Sequence, residues 1–154
     1  MKRVEKVVKN LQNELASKNI LEVACGCGEF SICAGKIAET VHCIDLDKKR
    51  LLPDAENCEN LFFSEMNAAE MSYGDGSFDT VVLYNAIGHL EEVMDGMLCE
   101  CLRVLRASGS MYVISSFKMD KRVIYDHLLP LLENKKISYQ LTEDNAFLYV
   151  QIRK

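Results

Sequence analysis

Residues Asn19–Ser31, which read NILEVACGCGEFS, constrain the chain more than any other stretch. Ile20, Leu21 and Val23 form a short aliphatic run, the composition of a strand buried on both faces of a parallel sheet. Glu22 interrupts that run near its end. Ala24-Cys25-Gly26-Cys27-Gly28 then makes a turn of small residues, and Glu29-Phe30-Ser31-Ile32 starts a helix. Gly26 and Gly28 lack a Cβ, so the backbone there can take positive φ and lie close against a ligand. The helix that follows points free N–H groups at the same place. The expected unit is a ligand-binding strand–turn–helix. A dinucleotide fingerprint fits it poorly: counted from Gly26, the third small position falls on Ser31, where Gly or Ala is required. Glu22 would also repel a pyrophosphate, whereas it would attract a cation.

Glu22-Val23-Ala24-Cys25-Gly26-Cys27-Gly28 resembles motif I of class I S-adenosylmethionine methyltransferases, acid-x-Gly-x-Gly-x-Gly, with Ala24 in place of the first glycine. A turn that demands positive φ would be strained at Ala24. Val41–Asp45 reads as the second strand and ends in an acid; the resemblance gives Asp45 the ribose hydroxyls and Leu46 the adenine face. Asp47 reads instead as the cap of a helix Lys48–Leu52, stopped by Pro53. After a third strand, Leu61–Glu65, the segment Met66-Asn67-Ala68-Ala69-Glu70-Met71 resembles the family's adenine segment, with Asn67 where an acid is common. An amide can still reach the adenine; equally, Asn67 can be a turn residue bonding its own backbone. Phe78–Tyr84, the fourth strand, carries the family's Phe-Asp-hydrophobic signature, and Asp79, at the edge away from the ligand, reads as structural. Arg103-Val104-Leu105-Arg106-Ala107-Ser108-Gly109 resembles the family's "RVLKPGG" ending of a helix Glu91–Arg106, ahead of a fifth strand Met111–Ser115.

The resemblance implies an α/β fold: a single-domain, Rossmann-like, doubly wound seven-stranded sheet, mostly parallel, with a C-terminal antiparallel hairpin. The hairpin falls on Ile137–Thr142 and Ala146–Arg153, around Glu143-Asp144-Asn145. Residues 1–18 then form an N-terminal helix, 19–115 the cofactor-binding core, and 116–154 a helix plus the hairpin. The opening helix, Val4–Ser17, carries an apolar stripe of Val4, Val7, Val8, Leu11 and Leu15. Helix Phe30–Glu39 turns Ile32, Cys33, Ile37 and Ala38 inward, and Asp120 caps a helix through Leu132 with His127 among its inner residues. The implied cofactor is S-adenosyl-L-methionine, with S-adenosyl-L-homocysteine as product. The implied contacts are Glu22, Ala24, Gly26, Gly28, Asp45, Leu46, Asn67, Ala68, Tyr84 and Asn85.

Methyl transfer from a sulfonium is an in-line displacement that needs alignment of the acceptor and exclusion of water, but no nucleophilic side chain. No catalytic residue is assigned outright. His89, after the fourth strand, is a candidate base, or a residue at the start of a helix bonded to nearby backbone; Tyr84 and Asn85 can line the site or pack. His42 and His127 read as core imidazoles. The Asn-Pro-Pro-aromatic motif of many amino-group methylating members is absent.

Seven cysteines, an odd number without a regular framework, read as reduced thiols of a cytoplasmic protein. Cys25-x-Cys27 and Cys99-x-Cys101 have the wrong spacing for a zinc knuckle, so no metal is expected. A formal net charge of −5 argues against nucleic acid, and no apolar run is long enough for a membrane span. Lys48-Lys49-Arg50 reads as a solvated face. A small-molecule acceptor is expected. The single opening helix and the brief Ser116–Met119 connection leave the acceptor side thinly covered, so a partner protein, a second copy or a bulky substrate is expected to complete it. Two other readings compete: a non-catalytic binding module of the same fold, partner to another enzyme, and a nicotinamide-dependent oxidoreductase, disfavoured by Glu22 and the hairpin.

Overall fold

A computed structural model describes residues 2–154. Seven strands form one sheet: β1 (Asn19–Val23), β2 (Thr40–Asp45), β3 (Leu61–Glu65), β4 (Phe78–Tyr84), β5 (Leu105–Ser115), β6 (Tyr139–Glu143) and β7 (Leu148–Arg153). Their order is β3-β2-β1-β4-β5-β7-β6. β1 to β5 run parallel, and β7 runs antiparallel to both β5 and β6. The seven-stranded, mostly parallel sheet with its terminal hairpin is therefore present. The chain moves outward from β1 through β2 to β3, then returns to place β4 on β1's other edge. That reversal opens a crevice beyond the carboxyl ends of β1 and β4, where open α/β sheets bind ligands.

Residues alternate between two cores. Leu21, Val23, Val81, Leu83 and Val113 face α4 (Met94–Val104), while Ile20, Val41, Val82 and Ile114 face α1 (Arg3–Asn10), α2 (Gln12–Leu15) and α3 (Glu29–Ala34). β1 is buried on both sides, which is why its residues are aliphatic apart from Glu22. The stripe Val4, Val7, Val8, Leu11 and Leu15 is buried as expected, although the opening helix breaks at Leu11 into α1 and α2.

Several expectations change. Helix α3 ends at Ala34 rather than Glu39, because Asn60 Nδ2 donates to the carbonyls of Gly35 (2.9 Å) and Ala38 (3.1 Å) and holds the chain in turns. Gly28, at φ 77°, sets the phase of that helix so that Phe30, Ser31 and Ala34 face inward; Cys33, Ile37 and Ala38 are only partly buried. Asp47 caps a single 3-10 turn, Lys48–Arg50, by accepting from Lys49 N–H (2.9 Å), and Pro53 opens a second such turn, Pro53–Asn57, rather than ending a helix. The expected helix Glu91–Arg106 divides into a 3-10 segment, Ile87–Val93, and α4; Leu105 already pairs with Phe78, so β5 starts there.

The helix expected from Asp120 to Leu132 is α5 (Lys118–Val123), a π-helical turn (Ile124–Leu128) and α6 (Leu129–Asn134). Pro130 has no N–H to bond four residues back, which favours the wider turn. The extra residue in that turn rotates His127 outward, where its Nε2 meets Glu91 Oε1 at 2.8 Å; it is not a core imidazole. Asp120 is not a cap either: it is buried in the first turn of α5 and accepts from Gly88 N–H (3.2 Å). His42 is half-buried among Phe62, Tyr73 and Phe78, and burial lowers its pKa, so the neutral ring prevails at pH 7. Among the described residues no helix is long and apolar enough to cross a membrane.

Candidate active site

A cleft of about 560 Å³ lies at the carboxyl edge of β1, β2 and β4. Of the ten residues expected to contact a cofactor, nine line it: Glu22, Ala24, Gly26, Asp45, Leu46, Asn67, Ala68, Tyr84 and Asn85. Gly28 does not. A Cβ on Gly28 would come within 2.7 Å of Leu51 Cδ1, so this glycine serves the close packing of the turn on the segment after β2.

Glu22 is buried under the turn. Its Oε2 accepts from Ser31 N–H (3.0 Å) and, closely, from the Ser31 hydroxyl. Ser31 breaks the dinucleotide fingerprint for this reason: the position carries a donor for the strand's acid. Burial raises the Glu22 pKa well above the usual carboxylate range, and the Ser31 hydrogen bonds only partly oppose it. A raised pKa in the folded state means that folding binds a proton above the unfolded value of about 4.3. Stability from this group is therefore full at lower pH and falls as pH rises through the folded pKa. Glu22→Gln keeps an acceptor for Ser31 and removes the titration. Urea unfolding from about pH 5 to about pH 8 should show the wild type losing more stability than the variant; parallel pH slopes would contradict a buried, titrating Glu22.

Ala24 adopts φ 56°, as the missing glycine implied, and Gly26 adopts φ 55°. The acid at the end of β2 organises the turn: Asp45 Oδ2 accepts from Gly26 N–H (2.7 Å), and its Oδ1 from Leu46 N–H (2.8 Å). Asp45 thus holds the left-handed Gly26 from the end of β2, and Glu22, near the end of β1, lines the same cleft. Leu46 projects into solvent at 75% exposure beside them. Asn67 realises its turn reading, accepting from Ala69 N–H at 2.8 Å, while still lining the cleft. Asn85, at φ 50°, accepts from Ser116 N–H (2.8 Å) and so joins the end of β4 to the end of β5.

The two weak catalytic candidates separate. Tyr84 stacks on Phe30, 5.7 Å between ring centroids, and burial, followed by the nearby Glu29 carboxylate, pushes its phenol up to about 12. It is a neutral hydroxyl at pH 7 and no base. His89 gives its N–H to the Ala86 carbonyl (3.0 Å), as a residue starting a helix does, and it also lines the cleft.

Sequence reasoning missed Arg50, Glu29, Glu92, Val93 and Phe117 in the lining. Arg50 lies over the glycine turn, its Nη2 3.5 Å from where a Gly26 Cβ would stand, although the run Lys48-Lys49-Arg50 gave no sign of this. Beside the buried acid Glu22, whose neutral form burial favours, the lining holds the carboxylates Glu29, Asp45 and Glu92 against the guanidinium of Arg50, a field that favours a cationic ligand. Among the described residues no group of three His, Cys, Asp or Glu side chains is placed to hold a metal ion.

Residues 21–113 match the family described as a methyltransferase domain, which spans β1 to β5 and every strand end around the cleft. The chain belongs to that methyltransferase domain family. It is 26% identical to a ubiquinone/menaquinone biosynthesis C-methyltransferase, UbiE, of Zymomonas mobilis, covering 90% of this chain and 64% of the relative. It is also 26% identical to a demethylmenaquinone methyltransferase of Halalkalibacterium halodurans, covering 77% of this chain and 54% of the relative. The chain therefore spans less than two-thirds of the length of either. In fold it is similar to a SAM-dependent methyltransferase of Aquifex aeolicus, with a TM-score of 0.78 at 17% identity over 98% of this chain and 89% of the other.

Proposed function

We propose that the chain is an S-adenosylmethionine-dependent methyltransferase acting on a small, apolar acceptor. The observation that carries this is one acidic cleft, within a methyltransferase domain, lined by the strand-end acids Glu22 and Asp45 and by a left-handed glycine, Gly26, held by Asp45. These residues fit the cofactor. Glu22 keeps Oε1 beyond the Oε2 given to Ser31, an acceptor for a ligand N–H, and Gly26 presents bare backbone to the cleft. Asp45 keeps lone pairs beyond those given to Gly26 and Leu46, suited to ribose hydroxyls. Leu46 and Ala68 offer apolar surface to a base, and the Asn67 amide N–H₂ stays free to reach it.

When bound, S-adenosylmethionine supplies an electrophilic methyl with a neutral thioether leaving group. The protein's part is orientation and dryness, worth about 7–11 kcal/mol at best. Tyr84 and Asn85, at the end of β4, line the acceptor side as neutral hydrogen-bonding groups. His89 is the imidazole in the lining and the candidate general base. A base matters most if the acceptor must lose a proton to become nucleophilic, as a phenolic ring does when alkylated at carbon. The names of the two relatives support a quinone precursor as the acceptor class, and the acidic lining supports a ring without a carboxylate.

The test is calorimetric titration of the purified chain with S-adenosylhomocysteine and, separately, with NAD. Saturable binding of the first alone is expected. Binding of NAD alone, or of neither, would overturn the assignment.

A further inference from the structure

We propose that a second copy of this chain covers the open acceptor side of the cleft through a two-fold contact, an inference that rests on the methyltransferase reading above. The cleft is bounded there by Val93 and Phe117, 38% and 57% exposed, and α5 and the turn after it, which follow Phe117, carry the exposed Met119 (67%) and Tyr125 (48%). These four are half of the exposed large apolar side chains among the described residues. Val93 and Phe117 share the cleft mouth, and Asp120 and His127 hold α5 and its following turn, which carry Met119 and Tyr125, against Gly88 and Glu91 of the 3-10 segment. Such a patch beside a pocket marks an interaction site rather than ordinary surface. Methyl transfer also gains from excluding the water that this rim now admits.

The charges name the occupant. A two-fold contact requires a surface complementary to itself, and this rim carries both signs within a short reach. Lys118, on α5, and Glu92, on the 3-10 segment, have no ion-pair partner among the described residues. Two copies facing across Val93, Phe117 and Met119 bring Lys118 of each to Glu92 of the other, so the same pair forms twice. A nucleic acid or an anionic bilayer would instead meet the Glu91 and Glu92 carboxylates.

Sedimentation velocity tests this with three samples. The wild type is expected at the mass of two chains. Lys118→Glu and Glu92→Lys each place like charges together twice and are expected to sediment as single chains; mixed in equal amounts, they restore two opposite-charge pairs and the two-chain species. A wild type that stays single up to its solubility limit overturns the proposal, as do variants that remain paired. A single-chain wild type that binds phosphatidylglycerol vesicles would assign the rim to lipid instead. S-adenosylhomocysteine titration of Lys118→Glu separates the two ideas: binding should persist in the single chain. A single-chain wild type that binds this ligand would sink the second copy alone, whereas loss of binding from the wild type would sink the methyltransferase reading.

Discussion

Gly26→Val is expected to abolish S-adenosylhomocysteine binding while the protein stays folded. Gly26 holds φ 55°, a region where a β-branched residue is a genuine outlier. A Cβ there would stand 3.5 Å from the Arg50 guanidinium, and the valine methyls would extend into the space a ligand needs. The backbone penalty is about 1–2 kcal/mol, which lowers the melting temperature by about 2–8 °C for a chain of this size. The loss of binding should far exceed that cost. Calorimetry beside a circular-dichroism melt checks both, and Gly26→Ala should fall between. A valine variant that melts as expected and binds normally would remove the glycine turn from the site.

Asp45→Ala is expected to weaken S-adenosylhomocysteine binding by about 1.5–3 kcal/mol, the worth of a charge-assisted hydrogen bond, or about ten- to a hundredfold. Two losses combine. The ribose loses its acceptor, and Gly26 and Leu46 lose the oxygens that hold their N–H groups at 2.7 and 2.8 Å. Asp45→Asn keeps an oxygen for one of those donors, so its affinity should lie between alanine and wild type. An unchanged dissociation constant for the alanine variant would show that the acid serves the turn alone.

Most of this geometry could be read from residues close together in the chain. β1, β2, β3 and β4 announce themselves as aliphatic runs; β3 and β4 begin and end at the expected residues, and β2 begins one residue earlier, at Thr40. The structural role of Asp79 was equally legible: it accepts from Asn19 N–H (2.8 Å) and pairs with Arg106 at the edge opposite the cleft. What failed depended on contacts between distant segments. Nothing near α3 reveals that Asn60 will end it, and nothing near Asp120 reveals that Gly88 will draw its carboxylate inward. A Cβ on Gly88 would collide with that carboxylate, so the glycine and the acid depend on each other across 32 residues. Arg50 escaped notice for a similar reason: its place over Gly26 follows from the Asp45 hydrogen bond that fixes the turn, not from its basic neighbours.

Ala24 and Asn85 hold left-handed backbone at the ends of β1 and β4, on either side of the crevice. Selection of heat-resistant variants would therefore gain readily at Ala24, where glycine relieves the constraint. The same change loosens the wall of the cleft, so such gains in endurance should carry a cost in turnover.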